Sequence, residues 1–254
     1  MAATYQIYAL KYGERETKEG QFFFRESSQK PLTLHFFVWV ILGGPHPIVV
    51  DTGCTRGRRR GQELRALRES RRHARARGRE GGRGAHDSRL ASALGSLGRL
   101  PVFPRQHFLD GSAKSSSSGR ASPASTRTTA RLPPESLAQL VRLNYSGRVK
   151  LVTGEAEVLP GIKVHWVGGH TAGLQVVSVP TAKGTVVLTS DASHFYRNIE
   201  RRDPVQIITN LPQMLAGFET IDALAGAKER VVVGHDPEVA TRFEQVEPGI
   251  IKIA

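Results

Sequence analysis

Two imidazoles and a carboxylate stand on three short motifs rich in small residues: Gly168-Gly169-His170-Thr171, Ser190-Asp191-Ala192-Ser193-His194 and Val233-Gly234-His235-Asp236. Each motif follows a run of β-forming residues. Each is therefore expected on a loop at or beyond a strand end, where a rigid sheet presents functional groups. Neutral imidazole nitrogen and carboxylate oxygen are the donors that a borderline cation such as zinc takes. A lone histidine after a strand is ordinary loop chemistry. His170, Asp191 and His235 together, each beside Gly or Ser, read as candidate metal ligands.

The elements that must position them are legible as hydrophobic pattern. Residues 5–10 alternate like a strand, and residues 34–42 and 48–50 are apolar β-formers followed by the turn Asp51-Thr52-Gly53. Residues 137–143 read as a short helix, and residues 149–152, 163–167, 174–179 and 185–189 as four strands punctuated by Gly and Pro. Leu211, Met214, Leu215, Phe218, Ile221 and Leu224 recur at helical spacing behind a candidate cap, Asn210. Residues 230–233 form one more buried strand, running into Gly234-His235-Asp236. Runs of strands with helices between them predict sheets covered by helices.

Between these flanks lies a segment of another character. The net charge of +13 is the sum of +14 over residues 56–131 and −1 over everything else. Arg, Gly, Ser and Ala supply 49 of those 76 residues, with one Val and no Ile, Tyr or Trp. Such a composition cannot bury enough apolar surface to offset its ordering entropy, so by itself it reads as disordered. A single cysteine, Cys54, excludes an internal disulfide framework and a Cys-rich zinc knuckle. No apolar run approaches the roughly 18 residues of a membrane span. The first residues lack the basic-then-apolar pattern of a signal peptide, and a soluble, cytoplasmic protein is the expectation.

Val49-Val-Asp-Thr-Gly53 after a hydrophobic strand, then Gly-Gly-His170-Thr, Ser-Asp191-Ala-Ser-His and Gly-His235-Asp-Pro, together resemble the metallo-β-lactamase superfamily. Residues 5–10, residues 36–40 and the Ser-Asp-Ala-Ser-His stretch look most like its N-acyl-homoserine lactonase branch. The resemblance covers residues 1–55 and 132–254. It implies an α+β fold, a four-layer αββα sandwich forming one domain over residues 1–254, with a site for two zinc ions at one edge. By resemblance His170 is a terminal ligand of one ion, Asp191 the bridging carboxylate and His235 a terminal ligand of the other. Asp51 is then a structural residue beside the site. The implied activity is opening of the lactone ring of N-acyl homoserine lactones (quorum quenching) by a metal-bound hydroxide. Asp191, His194 and Tyr196 are the implied catalytic residues. The latter two would hydrogen-bond the carbonyl oxygen or assist departure of the alkoxide.

The family's His-x-His-x-Asp-His cluster is absent. His73, His86 and His107 are isolated, and none begins that pattern. The genetic code supplies a reason. Back-translated with all synonymous codons and read one base out of register, the codons for residues 90–97 allow Ser-His-Leu-His-Trp-Asp-His. The next codons allow Ser-Gly-Gly-Phe, and those for residues 103–111 allow Phe-Pro-Asp-Asn-Thr-Phe-Trp-Met. The expectation is that residues 56–131 are an out-of-frame translation of a GC-rich gene, restored by a second shift near residue 131. The alternative is a natural Arg-rich insertion. With only three presumed ligands, the chain as written is expected to bind metal weakly or not at all and to hydrolyse substrate negligibly.

Three other readings compete. Clustered arginines neutralise phosphates, but the segment has only Phe103 and Phe108 as aromatic interleaving and no helix-turn-helix or RNP-like pattern. Specific nucleic-acid binding is therefore not expected. An aspartic protease would share the Val-Asp-Thr-Gly loop but needs a second carboxylate, and no second Asp-Thr-Gly exists. Other hydrolases of the superfamily (esterases, thioesterases, phosphodiesterases, true β-lactamases) would share the metal site, and fold-level likeness does not choose the substrate. A small-molecule lactone or ester substrate and no membrane partner are expected.

Overall fold

A computed structural model of the chain describes residues 3–51, 102–103, 142–147, 149–150 and 152–254. Two sheets carry the architecture. The first has the order β10-β11-β1-β2-β3-β4, from β1 (Gln6–Lys18), β2 (Pro31–Leu42), β3 (Ile48–Val50), β4 (Val102–Phe103), β10 (Glu244–Glu247) and β11 (Ile250–Lys252). The second has the order β5-β6-β7-β8-β9, from β5 (Glu155–Leu159), β6 (Ile162–Trp166), β7 (Gln175–Thr181), β8 (Gly184–Leu188) and β9 (Val231–Val232). Three helices follow the second sheet's later strands: α1 (Tyr196–Glu200), α2 (Leu211–Ala225) and α3 (Val239–Arg242). This is the α+β, metallo-β-lactamase-like arrangement expected from the sequence.

Strand alternation explains how the layers meet. In β1 and β2 the opposed pairs Ile7–Ile41 and Ala9–Trp39 face the main core, while Tyr8–Val40 and the neighbouring Leu10 and Leu42 form a second cluster with Ile250. The second sheet offers Val164, Val177, Val179, Val186 and Leu188 to the same core as Ile7 and Trp39. Helix α2 packs across β7, β8 and β9 through Met214, Phe218 and Ile221, the predicted spacing. Asn210 Oδ1 accepts from the Gln213 N–H at 3.0 Å, so the cap is real, and Gly226 ends the helix in the left-handed region at φ 65°. Leu215, counted with the apolar stripe, is instead exposed.

Two expectations are corrected. Residues 149, 150 and 152 are not in a strand; the edge strand is β5, which begins three residues further on, at Glu155. Val152 still packs against the core, so the apolar signal marked burial rather than pairing. Strand β1 also runs on to Lys18, well past residue 10. Of the helix expected at 137–143, only residues 142 and 143 are described; they are helical, within a segment at 142–145. Thr52, Gly53, Cys54, His73, His86, His107 and nearly all of 56–131 lie outside the described residues. Among the described residues no helix is long and apolar enough to cross a membrane.

Candidate metal centre

His170 sits on the loop leaving β6. Gly168 and Gly169 there adopt φ 64° and 87°, and a Cβ on Gly169 would stand 2.6 Å from Met214 Cα. The Gly169 carbonyl accepts from the N–H groups of Thr209 and Asn210 at 2.8 and 3.0 Å and from Thr209 Oγ1 at 2.9 Å. The loop is thus clamped to the start of α2, one residue before the imidazole.

Asp191 lies in a 3₁₀ turn (Ser190–Ala192) after β8. Ser190 is held at φ 47°, a strained value for a residue with a side chain, and donates its hydroxyl to Asp51 Oδ2 at 2.8 Å. Asp51 itself sits at φ 70° at the end of β3. Two left-handed, hydrogen-bonded residues on opposite sheets therefore fix the turn that carries the carboxylate, which accounts for Asp51 beside the site.

His235 follows β9. Its N–H donates to the His194 carbonyl at 2.8 Å, and its carbonyl accepts from the His35 N–H at 2.9 Å. The ring's Nδ1 donates to the His35 carbonyl at 2.9 Å, which aims Nε2 at Asp191 Oδ1, 2.8 Å away. Phe36 lies edge-on to the ring at 5.1 Å.

The carboxylate of Asp191 is the hub of these contacts. Oδ2 faces His170 Nε2 at 3.7 Å, and Oδ1 faces His194 Nε2 at 3.6 Å as well as His235. The His194 ring stands 5.2 Å from that of His170, 4.9 Å from that of His235 and 5.5 Å from Phe22. All four side chains are at least nine-tenths buried. The donor atoms of His170, Asp191 and His194 lie within 4.8 Å of one another. Ligands bound tetrahedrally to zinc at about 2.0–2.1 Å stand roughly 3.4 Å apart. The donor chemistry and the 3.6–3.7 Å spacings fit a cation.

His170, Asp191 and His235 are therefore brought together as the motifs predict, with His170 and His235 on opposite carboxylate oxygens. His194 joins them. Tyr196 meets other partners: its ring lies under the Arg242 guanidinium at 3.5 Å, and its N–H donates to Asp236 Oδ2 at 3.0 Å. Its buried hydroxyl has no hydrogen-bond partner among the described residues, and burial pushes its pKa well above the usual phenol value. Asp236 is a buried acid outside the cluster. Burial raises its pKa, opposed by the N–H groups of Glu238 and Tyr196. Sequence reading did not single out Phe22 or His35. His35 carries no signal at all, because it acts on His235 through its backbone.

No protein-family model matches the sequence. An N-acyl homoserine lactonase of a Bacillus species is 36% identical over 103 residues, and one of Bacillus cereus 35% over 103. Each match covers 39% of this chain and 36% of the relative, so it spans little more than a third of those proteins' length. Among solved structures, a quorum-quenching N-acyl homoserine lactone hydrolase superposes with a TM-score of 0.61 at 19% identity over 99% of both chains. The hydrolase AbOPH, of the β-lactamase superfamily, gives 0.52 at 17% identity over 98% of this chain and 90% of that one. The chain shares the fold of these hydrolases and, over 39% of its length, is similar to N-acyl homoserine lactonases. AidC, a dizinc quorum-quenching lactonase, shares the fold with a TM-score of 0.55 at 14% identity, over 98% of this chain and 90% of its own. In this chain the residues that fit a cation all lie on loops at strand ends.

Proposed function

We propose that this chain is the product of a gene for a metal-dependent hydrolase that opens the lactone ring of N-acyl homoserine lactones. The observation that carries the reading is Asp191, ringed by His170, His194 and His235 in a lactonase-like fold. The partial likeness to Bacillus lactonases supports the substrate class. His170, Asp191 and His235 would hold the divalent cations, zinc by resemblance. When bound, such cations supply Lewis acidity, acidifying water and polarising a carbonyl.

The chain's own residues do the positioning. His35 holds His235 in place through one backbone hydrogen bond and one from the ring to its carbonyl. Asp51 and Ser190 hold the turn that aims the Asp191 carboxylate. Phe22 and Phe36 wall the imidazoles with apolar surface, which limits water and strengthens electrostatics at the site. Tyr196 acts as a support: its ring carries Arg242, which pairs with Glu238 at 2.7 Å, and its backbone holds Asp236. One domain unites both sheets, since a single apolar core draws on each.

Residues 56–131, outside the described residues, are on this reading an out-of-frame translation, and the corrected frame supplies the missing His-x-His-x-Asp-His ligands. The chain as written is impaired for that reason. Two measurements test the proposal. The coding DNA across codons 50–135 should show a frame inconsistency near each edge. With zinc, the frame-corrected chain should open an N-acyl homoserine lactone, read as acid release with a pH indicator, while the chain as written does so negligibly. A consistent reading frame, or a corrected chain that binds zinc and leaves the lactone closed, overturns it.

A further inference from the structure

We infer that the polypeptide as written already completes a site for one divalent cation, with His170, Asp191 and His194 as its ligands. The inference rests on the metal-dependent reading above and changes the role of His194 from a donor toward substrate to a metal ligand. It also revises the expectation, drawn from counting motifs, that this chain binds metal weakly or not at all.

The geometry separates His194 from His235. His235 Nε2 makes a direct 2.8 Å hydrogen bond to Asp191 Oδ1, and its other nitrogen is tied to the His35 carbonyl. It anchors the carboxylate. His170 and His194 instead stand back from the two carboxylate oxygens by nearly the same distance, 3.7 and 3.6 Å. That gap is too long for a hydrogen bond and close to the spacing of two donors sharing one ion. Closing onto an ion would bring three donor atoms that already lie within 4.8 Å of one another to the roughly 3.4 Å spacing of a tetrahedral site. Among the described residues this is the one group of three or more His, Cys, Asp or Glu side chains so arranged. Three protein donors with a fourth position left for water or substrate is the stoichiometry of a catalytic zinc site.

Described residues hold each of the three ligands in place. His170 is fixed by the Gly169 clamp on α2, Asp191 by Ser190 and Asp51, and His194 by its rise from the same 3₁₀ turn. Thr189 Oγ1 donates to the Ser193 carbonyl at 3.1 Å and the Ser193 carbonyl also accepts from the Gly234 N–H at 2.9 Å, so the backbone just before His194 is held from two sides. The Phe22 ring closes the outer flank of the imidazole.

The test uses the chain as written, stripped of metal and titrated with Zn²⁺ or Co²⁺ alone. The expected result is one ion per chain, with cobalt showing the visible absorption intensity of a four-coordinate site. His194→Ala should weaken binding at least tenfold, while replacing His73, His86 and His107 together with Ala leaves the stoichiometry at one. His194→Cys should restore binding and add a thiolate-to-cobalt charge-transfer band in the near ultraviolet, a signature that arises only if side chain 194 bonds the ion. Circular dichroism confirms that each variant folds. No ion bound, His194→Ala binding as tightly as the parent, or a folded His194→Cys without the band overturns the inference. A chain as written that binds nothing, while the corrected chain opens lactones, sinks this inference alone. One ion bound here, with a corrected chain that leaves lactones closed, sinks the lactonase reading alone.

Discussion

Gly234→Ala is the substitution whose cost the structure fixes most closely. Gly234 joins β9 to His235, and a Cβ there would stand 2.8 Å from the Ser190 carbonyl carbon and nearer still to its oxygen. Ordinary contact begins at 3.4 Å, so one backbone must retreat by roughly 0.6 Å or more in a closely packed interior. Neither can do so cheaply. Ser190 is held at φ 47° and bonded to Asp51, while Gly234 is tied to the Ser193 carbonyl and His235 to those of His194 and His35. Overpacking of this kind costs about 1–3 kcal/mol. The larger effect falls on the site, because the two colliding residues are the immediate neighbours of His235 and Asp191. Losing the support of a ligand typically lowers metal affinity about 10–100-fold. Equilibrium dialysis against zinc and urea denaturation would measure both, with Gly13→Ala as the control, since a Cβ there has its nearest neighbour at 3.9 Å. A Gly234→Ala protein with parental stability and parental zinc affinity would refute the reasoning.

Asp51→Ala removes the acceptor of the Ser190 hydroxyl; zinc affinity should fall about 10–100-fold while the far-ultraviolet spectrum is kept, and unchanged affinity would count against Asp51 as a positioning residue. Phe218→Ala empties a fully buried position under α2 and should cost about 3–5 kcal/mol by denaturant titration, with a loss under 1 arguing against α2 as the cover of β7–β9. Burial, the largest cause, holds the pKa of His165 below its ordinary value, with Glu155 opposing it. The unfolded chain then takes up a proton that the folded state resists. Stability is full above the unfolded value of about 6.5 and falls as pH drops through the window below it. His165→Gln should flatten the dependence of melting temperature on pH in that window, and an unchanged slope would contradict the assignment.

Much of this arrangement was readable from residue types because the site sits where periodicity breaks. Small residues beside His170, Asp191 and His235 mark places where a chain leaving a strand must turn sharply, and the Gly169 and Ser190 torsions show why. Asn210 and the apolar stripe behind it located α2 for a similar reason, a cap followed by burial on one face. Strand β5 was invisible because Glu155–Leu159 is a half-exposed edge strand with no continuous apolar run, so its pairing is set by β6 rather than by its own composition. Strands β10 and β11 were missed likewise; β10 is charged and exposed. His194 and Tyr196 could not be told apart by spacing. The 3₁₀ turn brings residue 194 back over Asp191, whereas the start of α1 places Tyr196 under Arg242, a partner 46 positions away in the chain. The role of His35 lies in its carbonyl, which every residue has.

Diffraction at the zinc absorption edge, from crystals of the chain as written grown with zinc, tests the central claim most directly. The account predicts an anomalous peak about 2.0–2.2 Å from His170 Nε2, His194 Nε2 and an Asp191 carboxylate oxygen. Well-ordered density for those three side chains with no peak among them, or with the ion held elsewhere in the chain, would contradict it.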